Sequence, residues 1–441
     1  MKLKLFSMLM IGAVAFANAQ DKSLLETLVK KGTITEQEAA QIAKDSVVVT
    51  PGTADTKKLT INGGAVIGYN FGSFSLENPS NVYKVNSNGF DIRFAKLGIE
   101  AEIQGGWKID FITDFGVEGR ERNFLDKVVL SKEIAFDYLT GRLDVGMRKV
   151  NMGQEQGLDD FALFTAERSV ATAFFTRPDY GINRAAVATF KNMGSRAIGI
   201  FWEGTVEQVK GMYYGISVVG GNSFEGTSAS FSNVDGNNNL SFYVNFGYKG
   251  EQAIKNESFT YDVGMNMGYA NGGFVVVTPG VSPGSYDVEN NEMWAINPYV
   301  SLKWRGLTFM GEYFLQGVQN SALVGSGPDA TPMGANIILA YKFDIGEFGV
   351  IEPVFRASFL ATDGMGFDPL TVGDYTGKNA SGLLFDRAQT YYVGANWYVV
   401  PSVKIGLGYE WGEYSRAGRY TGGGAHRATS NTVRAQLQVL F

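Results

Sequence analysis

The last eleven residues, from Asn431 to Phe441, alternate strictly between two kinds of side chain. Val433, Ala435, Leu437, Val439 and Phe441 share one face of an extended chain, while Arg434, Gln436 and Gln438 share the other. A period of two with one apolar and one polar face describes a strand lying between two different media. The pattern recurs upstream. Phe259, Tyr261, Val263, Met265, Met267 and Tyr269 oppose Thr260, Asp262, Gly264, Asn266 and Gly268. Trp294, Ile296, Val300, Leu302 and Trp304 oppose Asn297, Ser301, Lys303 and Arg305, and Val403, Ile405, Leu407, Tyr409 and Trp411 oppose Lys404, Gly406, Gly408 and Glu410. Segments of about 9 to 13 residues fit tilted strands crossing a hydrocarbon layer.

The N-terminus points to export. Lys2 and Lys4 precede an apolar run from Leu5 to Phe16, and Ala17-Asn18-Ala19 is a small-x-small cleavage site. Residues 1–19 therefore read as a secretory signal peptide. The chain has no cysteine, which removes lipid attachment at cysteine, disulfides and thiolate metal sites. Loss of Lys2 and Lys4 lowers the basic count from 38 to 36 against 44 acidic residues, a net charge of −8 that offers nothing to nucleic acid. After the signal no apolar run reaches the ~18 residues of a spanning helix. Aromatic residues make up 13% of the chain, glycines number 56, and mean hydropathy is −0.05. Short alternating strands with glycine-rich connections produce this profile, in a membrane barrel or in a soluble β-sandwich array or propeller.

Residues 20–58 differ from the rest of the mature chain. Leu24, Leu25, Leu28 and Val29 repeat at helical spacing before Gly32, and Thr35 with Glu38 forms a capping box ahead of Ala39, Ile42 and Ala43. The spacing predicts a helical hairpin and then a linker around Pro51-Gly52-Thr53, serving as a periplasmic appendage, an oligomerisation element or a loosely packed extension. From residue 59 to 441 the pattern is β. Sixteen strands result when 185–192 and 196–202 are read as one interrupted strand, and seventeen otherwise. An even count puts both ends on one side, with short turns (Gly105-Gly106, Arg305-Gly306, Asp344–Glu347, Val400–Ser402) alternating with long connections (72–90, 149–184, 220–239, 271–292, 362–388, 414–430). The expectation is an all-β fold, an antiparallel transmembrane β-barrel of about sixteen strands with a short N-terminal helical hairpin.

The tryptophans supply an independent argument. Trp107, Trp294, Trp304, Trp397 and Trp411 all fall on the apolar face near strand ends, where the aromatic girdles of membrane barrels lie. A spanning sheet must close, because lipid cannot satisfy its edges. About sixteen strands enclose an aqueous channel. The expected function is thus passive diffusion of small hydrophilic solutes or ions through the outer membrane of a Gram-negative cell, with no enzymatic activity and no cofactor. A structural or secretion-associated barrel, whose hairpin binds a periplasmic partner, is the rival from another class.

The connection 149–184 is the longest and carries Phe161, Leu163, Phe164, Phe174 and Phe175. So much apolar surface predicts a loop folded inward as a constriction, with a cap over the mouth or a subunit contact as alternatives. The strand before it points Arg142 and Arg148 inward, opposite Leu143, Val145 and Met147. The loop holds Lys149, Arg168, Arg177 and Arg184 against Glu155, Asp159, Asp160, Glu167 and Asp179. The pore residues are expected to be Arg142, Arg148, Lys149, Asp159, Asp160, Glu167, Arg168, Arg177 and Arg184. They predict a transverse field, basic wall against acidic loop, more than an anion funnel.

Residues 90–200 also resemble a known family. Arg93-Phe-Ala-Lys96-Leu97-Gly98-Ile99-Glu100 is similar to a strand of the phosphate-selective porins of the O and P type. Asp126–Leu130 resembles that family's next strand signature, and Gly146-Met-Arg-Lys149 its approach to the constriction loop. Glu167-Arg168-Ser169, with Tyr180-Gly181 and Arg184, resembles segments inside the loop. The resemblance implies a sixteen-stranded barrel, a homotrimer, an inward constriction loop and, as an alternative cargo, phosphate or other anions.

Two further motifs carry weaker chemistry. His426, the single histidine, sits in the glycine-rich stretch 420–427 and reads as a loop residue before it reads as part of a hydrolase site. Asp235–Asn239 has oxygen ligands near calcium spacing but lacks the closing acidic ligand, so it reads as a solvated turn.

Overall fold

The computed structural model describes residues 58–78, 81–116, 124–176, 196–220, 240–254, 257–276, 287–319, 329–364, 366–367, 385–415 and 427–441. The signal segment and nearly all of the expected hairpin and linker, along with 177–195, 235–239 and His426, lie outside them.

The strands in chain order are β1 (Lys58–Asn78), β2 (Asn81–Ile103), β3 (Trp107–Asp114), β4 (Leu125–Ala135), β5 (Leu139–Lys149), β6 (Arg196–Val206), β7 (Met212–Gly220) and β8 (Leu240–Ile254). They continue as β9 (Glu257–Val276), β10 (Asp287–Trp304), β11 (Leu307–Val318), β12 (Met333–Tyr341), β13 (Val350–Ala361), β14 (Arg387–Val400), β15 (Val403–Ser415) and β16 (Arg427–Leu440). Phe343–Asp344 resumes β12 past Lys342, because both stretches pair with β13. Each strand runs antiparallel to its sequence neighbours, and β16 returns to β1 with Gly64 opposite Leu440 and Glu77 opposite Arg427. Past the end of that ladder, the Phe441 amide donates to the Gly63 carbonyl at 3.0 Å and the Gly63 amide to the Phe441 carbonyl at 3.1 Å. The sheet is therefore a closed sixteen-stranded barrel with no free edge, as the alternation and the even count predict.

Closure separates the two faces. The outward residues of β16 are exposed, Leu437 by 40% and Phe441 by 62%, while inward Arg434, Gln436 and Gln438 are buried. Trp294, Trp304, Trp397 and Trp411 stand exposed on the apolar outer face. The turns at one end are tight. Gly105 and Gly106 lie at φ 80° and 75°, and Arg305 and Gly306 at 51° and 81°, the positive values that two-residue hairpins require.

Two expectations about connections are corrected. The stretch 72–90 is largely strand, as are 271–276 and 287–292, so β1 and β2 run for 21 and 23 residues and β9 and β10 for 20 and 18. Strand pairing continues well past the length that lipid needs. In the ladders Phe74 lies opposite Val85, Leu76 opposite Tyr83, and Val275 opposite Val288. The asparagines and glycines scattered between them concealed this alternation.

Between β5 and β6 the described chain forms α1 (Gln154–Gly157), a 3-10 turn at Asp160–Ala162 and α2 (Val170–Thr176). These elements pack on the inner face. That face is not uniformly polar, as the inward residues first suggested. Val170, Ala171, Phe174 and Phe175 of α2 join Phe74, Phe314, Leu360, Phe385 and Tyr414 in one buried apolar cluster. Val150 and Met152 join a second with Phe201, Tyr243 and Met293. Leu158 and Phe164 pack against a third, formed by Met310, Ile338, Val354 and Tyr392.

Candidate functional site: the loop and the inner wall

The loop is fixed at its far end by apolar contact. All seven residues of α2 are buried. The Phe175 ring stacks on Phe314 of β11, centroids 4.9 Å apart and planes 5° off parallel. Burying each such ring is worth about 1.5–3 kcal/mol. Close approach depends on Gly334 in β12, where an added Cβ would sit 2.9 Å from Phe175 and 3.0 Å from Ala171. Ser169 caps the helix, its Oγ accepting from the Thr172 amide at 3.1 Å. Glu312 of β11 ties both loop helices together. It accepts from the Gln154 amide at 2.6 Å and from Thr172 Oγ1 at 2.9 Å.

The middle of the loop is held by its backbone carbonyls. Lys404 of β15 donates to the carbonyls of Phe161 and Leu163 at 3.2 and 3.1 Å, and Asn396 of β14 to that of Phe164 at 2.9 Å. Arg93 of β2 donates to the Ala166 carbonyl at 2.5 Å, and Arg356 of β13 to the Glu167 carbonyl and to Thr165 Oγ1 at 2.7 Å. Side-chain donors from four strands thus satisfy a stretch that has no ladder of its own, as buried backbone requires. Gly64 of β1 admits the Phe161 ring, which lies 2.9 Å from where a Cβ would stand.

Ion pairs complete the attachment. Asp160, almost fully buried, meets Lys96 of β2, Arg168 at 2.5 Å and Lys149 at 3.4 Å. Lys96 also reaches Asp126 of β4 at 3.0 Å, and Asp126 pairs with Arg196 of β6. Burial by itself would raise the Asp160 carboxyl, but Lys149, Lys96, Arg168 and Arg196 outweigh it and hold the group well below the usual carboxylate range. Glu167 pairs with Arg93 and with Arg434 of β16 at 3.5 Å. Glu155 lies 3.7 Å from Arg356, which also pairs with Glu410 of β15 at 2.5 Å.

This arrangement departs from the expected transverse field. Arg142 and Arg148 do point inward, yet their own wall balances them. Arg142 lies 2.9 Å from Asp144 and 3.5 Å from Glu203, and Arg148 lies 2.5 Å from Asp144 and also pairs with Glu203. The acidic residues Asp160 and Glu167 face cations of β2 and β16. Lys149 and Arg168 serve Asp160. Of the expected loop charges, Asp159 alone among those described stays exposed, its side chain accepting from the Phe161 amide at 2.8 Å. Arg177 and Arg184 lie outside the described residues. Of the anchoring residues, Arg356 and Glu312 were not named from sequence, and Lys404 and Asp126 were named for the alternation and the resemblance but not as part of the site. Their signal was a lone charge at an inward position of a strand, which the alternation does reveal for Lys404, Glu410 and Arg434.

The wall formed by β5 to β10 keeps its solvent contact toward the short-turn end. Arg142 has 44% of its side chain accessible, and Lys249 and Lys303 are exposed. Glu203 and Asp262 stand between them, and Tyr213 donates to Asp262 at 2.6 Å. In the loop, Gly157, Asp159 and Ala162 are the exposed positions. The described residues contain no group of three or more acidic or histidine side chains able to hold a metal.

No family model matches this sequence, and no curated protein does. Among solved structures the barrel is similar to a loop L8 deletion mutant of OmpT, an outer membrane protein of Vibrio cholerae, with a TM-score of 0.50 and 8% identity, covering 87% of this chain and 99% of that one. Salmonella typhi OmpF in complex with daunomycin aligns with a TM-score of 0.49 and 13% identity over 87% of this chain and 98% of that one. The outer membrane channel DcaP of Acinetobacter baumannii aligns with a TM-score of 0.48 and 11% identity over 89% and 99%. The likeness is one of fold, that of an outer-membrane β-barrel.

Proposed function

We propose that this protein is an outer-membrane porin, passing small hydrophilic solutes by diffusion between the loop and the wall of β5 to β10. One observation carries the reading. The barrel is closed, yet charged and polar side chains at the short-turn ends of β5 to β10 remain accessible on its inner face, below the level at which the loop packs against the wall. A wet lumen bounded by fixed, balanced charges favours passage over storage or catalysis. The loop stretch 149–184 acts as the constriction, with Arg142, Arg148, Asp159 and Glu203 as its charged rim.

The charge pattern argues against a strongly anion-selective channel. The basic residues that resemble those of phosphate-selective porins, Arg93 and Lys96, are occupied by Glu167, the Ala166 carbonyl, Asp126 and Asp160. Cations engaged in this way cannot replace the hydration shell of a passing phosphate. Following the family resemblance, we extend the reading to three copies of the chain side by side in the outer membrane of an exporting Gram-negative cell. Purified protein in a planar bilayer should open ohmic channels whose reversal potential in a salt gradient shows weak ion preference. Strong anion preference, lost on Arg142 or Arg148 replacement, would favour the anion channel. Absence of conductance would remove the porin reading altogether.

A further inference from the structure

We propose that the lumen carries a subsite for a zwitterionic solute, an α-amino acid or short peptide, at the short-turn end of the barrel beneath the loop. The proposal rests on the porin reading and names a solute class for it. A cavity of about 360 Å³ lies there, lined by Phe164 of the loop, Ser258 and Thr260 of β9, Lys303 of β10, Thr308 of β11, Lys342 after β12 and Glu352 of β13. That volume suits a small solute, toward the lower end of ordinary ligand cavities.

Its charged groups are of both signs and differ in exposure, and one of them, Arg305, is already paired with Glu257. Lys303 is exposed and makes no ion pair or hydrogen bond among the described residues. Lys342 is also accessible, with 54% of its side chain exposed, and lies across the Tyr398 ring at 5.3 Å. Glu352 is the opposite case. It is 1% exposed, and its Oε2 accepts from Asn396 at 3.1 Å and from Tyr398 at 2.8 Å, which fixes the carboxylate in place. Its Oε1, though buried, accepts no hydrogen bond, and the Lys342 ammonium stands 3.9 Å away. A buried carboxylate oxygen without a donor is costly, and a ligand donor entering the cavity would relieve it.

The two ends of an amino acid match these groups. A ligand carboxylate meets Lys303 and Lys342, and the ligand ammonium completes Glu352 Oε1. Ser258, Thr260 and Thr308 offer hydroxyls, and Phe164 gives the side chain an apolar surface. An inorganic anion satisfies the lysines but brings Glu352 a second negative charge. A plain amine satisfies Glu352 and is opposed by both lysines. Only a solute carrying both groups gains from each.

The test is block of single-channel current in a planar bilayer by glutamine, compared with butyrate, butylamine and inorganic phosphate. Glutamine is expected to half-block at a concentration at least fivefold below any of the other three. Glu352→Gln retains the contacts of Oε2 and should erase that preference while leaving butyrate block unchanged or stronger. Lys303→Met, at an exposed position, should weaken glutamine and butyrate block together. Phosphate blocking as well as glutamine would overturn the proposal, as would a Glu352→Gln channel with its preference intact. Should Glu352→Gln fail to assemble, Lys303→Met decides alone, since unchanged glutamine block in that variant also overturns the proposal. A protein that conducts but is blocked by none of the four probes loses the subsite and keeps the porin reading, whereas one that does not conduct loses both.

Discussion

Replacing Asp160 by Asn removes the anion on which Lys96, Arg168 and Lys149 converge, while keeping its size. The Asp160 side chain is 2% exposed, and those of Lys96 and Arg168 are 7% and 3% exposed. Removing one partner from a buried ion pair costs about 3–5 kcal/mol, because the remaining charges stay buried and unmatched. Lumen water reaches Lys149, whose side chain is 22% exposed, so the low end applies, about 3 kcal/mol. That corresponds to a rise of roughly a hundredfold in the population whose 154–168 stretch has left the wall. Helix α2 is held separately by its apolar cluster, so the loop loosens at its front and stays tethered behind. Lys96, Lys149 and Arg168 then face water. Planar-bilayer recording of Asp160→Asn should show larger and noisier channel conductance, with the reversal potential displaced toward anions. A folded variant with wild-type conductance and reversal potential would refute the argument that this cluster both holds the loop and hides the cations.

Acid offers the same perturbation without mutation. An Asp160 carboxyl held far below its unfolded value, near 3.9, contributes stability that is fully present above that pH and is lost only as pH falls through the folded value. The Asp160-dependent part of the conductance, read as the difference between wild type and Asp160→Asn, should therefore stay constant from pH 7 to about 4 and change only in stronger acid, and a transition of that difference centred near pH 5 would count against it. Arg356→Met leaves Glu410 and Glu155 facing a lost guanidinium that is 1% exposed, a cost of about 3–5 kcal/mol that should lower the temperature of the heat-induced mobility shift on gels. An unchanged shift temperature contradicts it. Phe175→Ala removes the ring stacked on Phe314 and should cost about 3–5 kcal/mol, read as faster proteolytic cleavage within 150–176 while the barrel stays intact. Cleavage at the wild-type rate would show that the helix does not depend on that contact.

The barrel was legible in the sequence because its determinant is local. A strand between lipid and water must alternate, so Val433 to Phe441 against Arg434 to Gln438 already specify which side chains point where. Likewise, the Arg305-Gly306 turn announces itself by residue type. The long hairpins of β1–β2 and β9–β10 were less legible, since their cross-strand partners lie on another segment and their own sequence is rich in asparagine and glycine. The loop showed its apolar load through Phe174 and Phe175 but not its destination.

What the sequence alone determined is thus the sidedness of each strand, the even closure and the presence of one connection too apolar to stand in water. Only the tertiary structure decided which charges are spent and which are free. Arg93 and Lys96 carry the resemblance to a phosphate-selective family, yet Glu167 and Asp160 come from a loop some seventy positions away to neutralise them. Glu352, not read from the sequence, ends buried with an oxygen lacking a hydrogen-bond donor, in a cavity that two accessible lysines also line. Coulomb interactions act at a few ångströms of separation whatever the distance along the chain. The loop therefore had to be seated before the pore could have an electrostatic character.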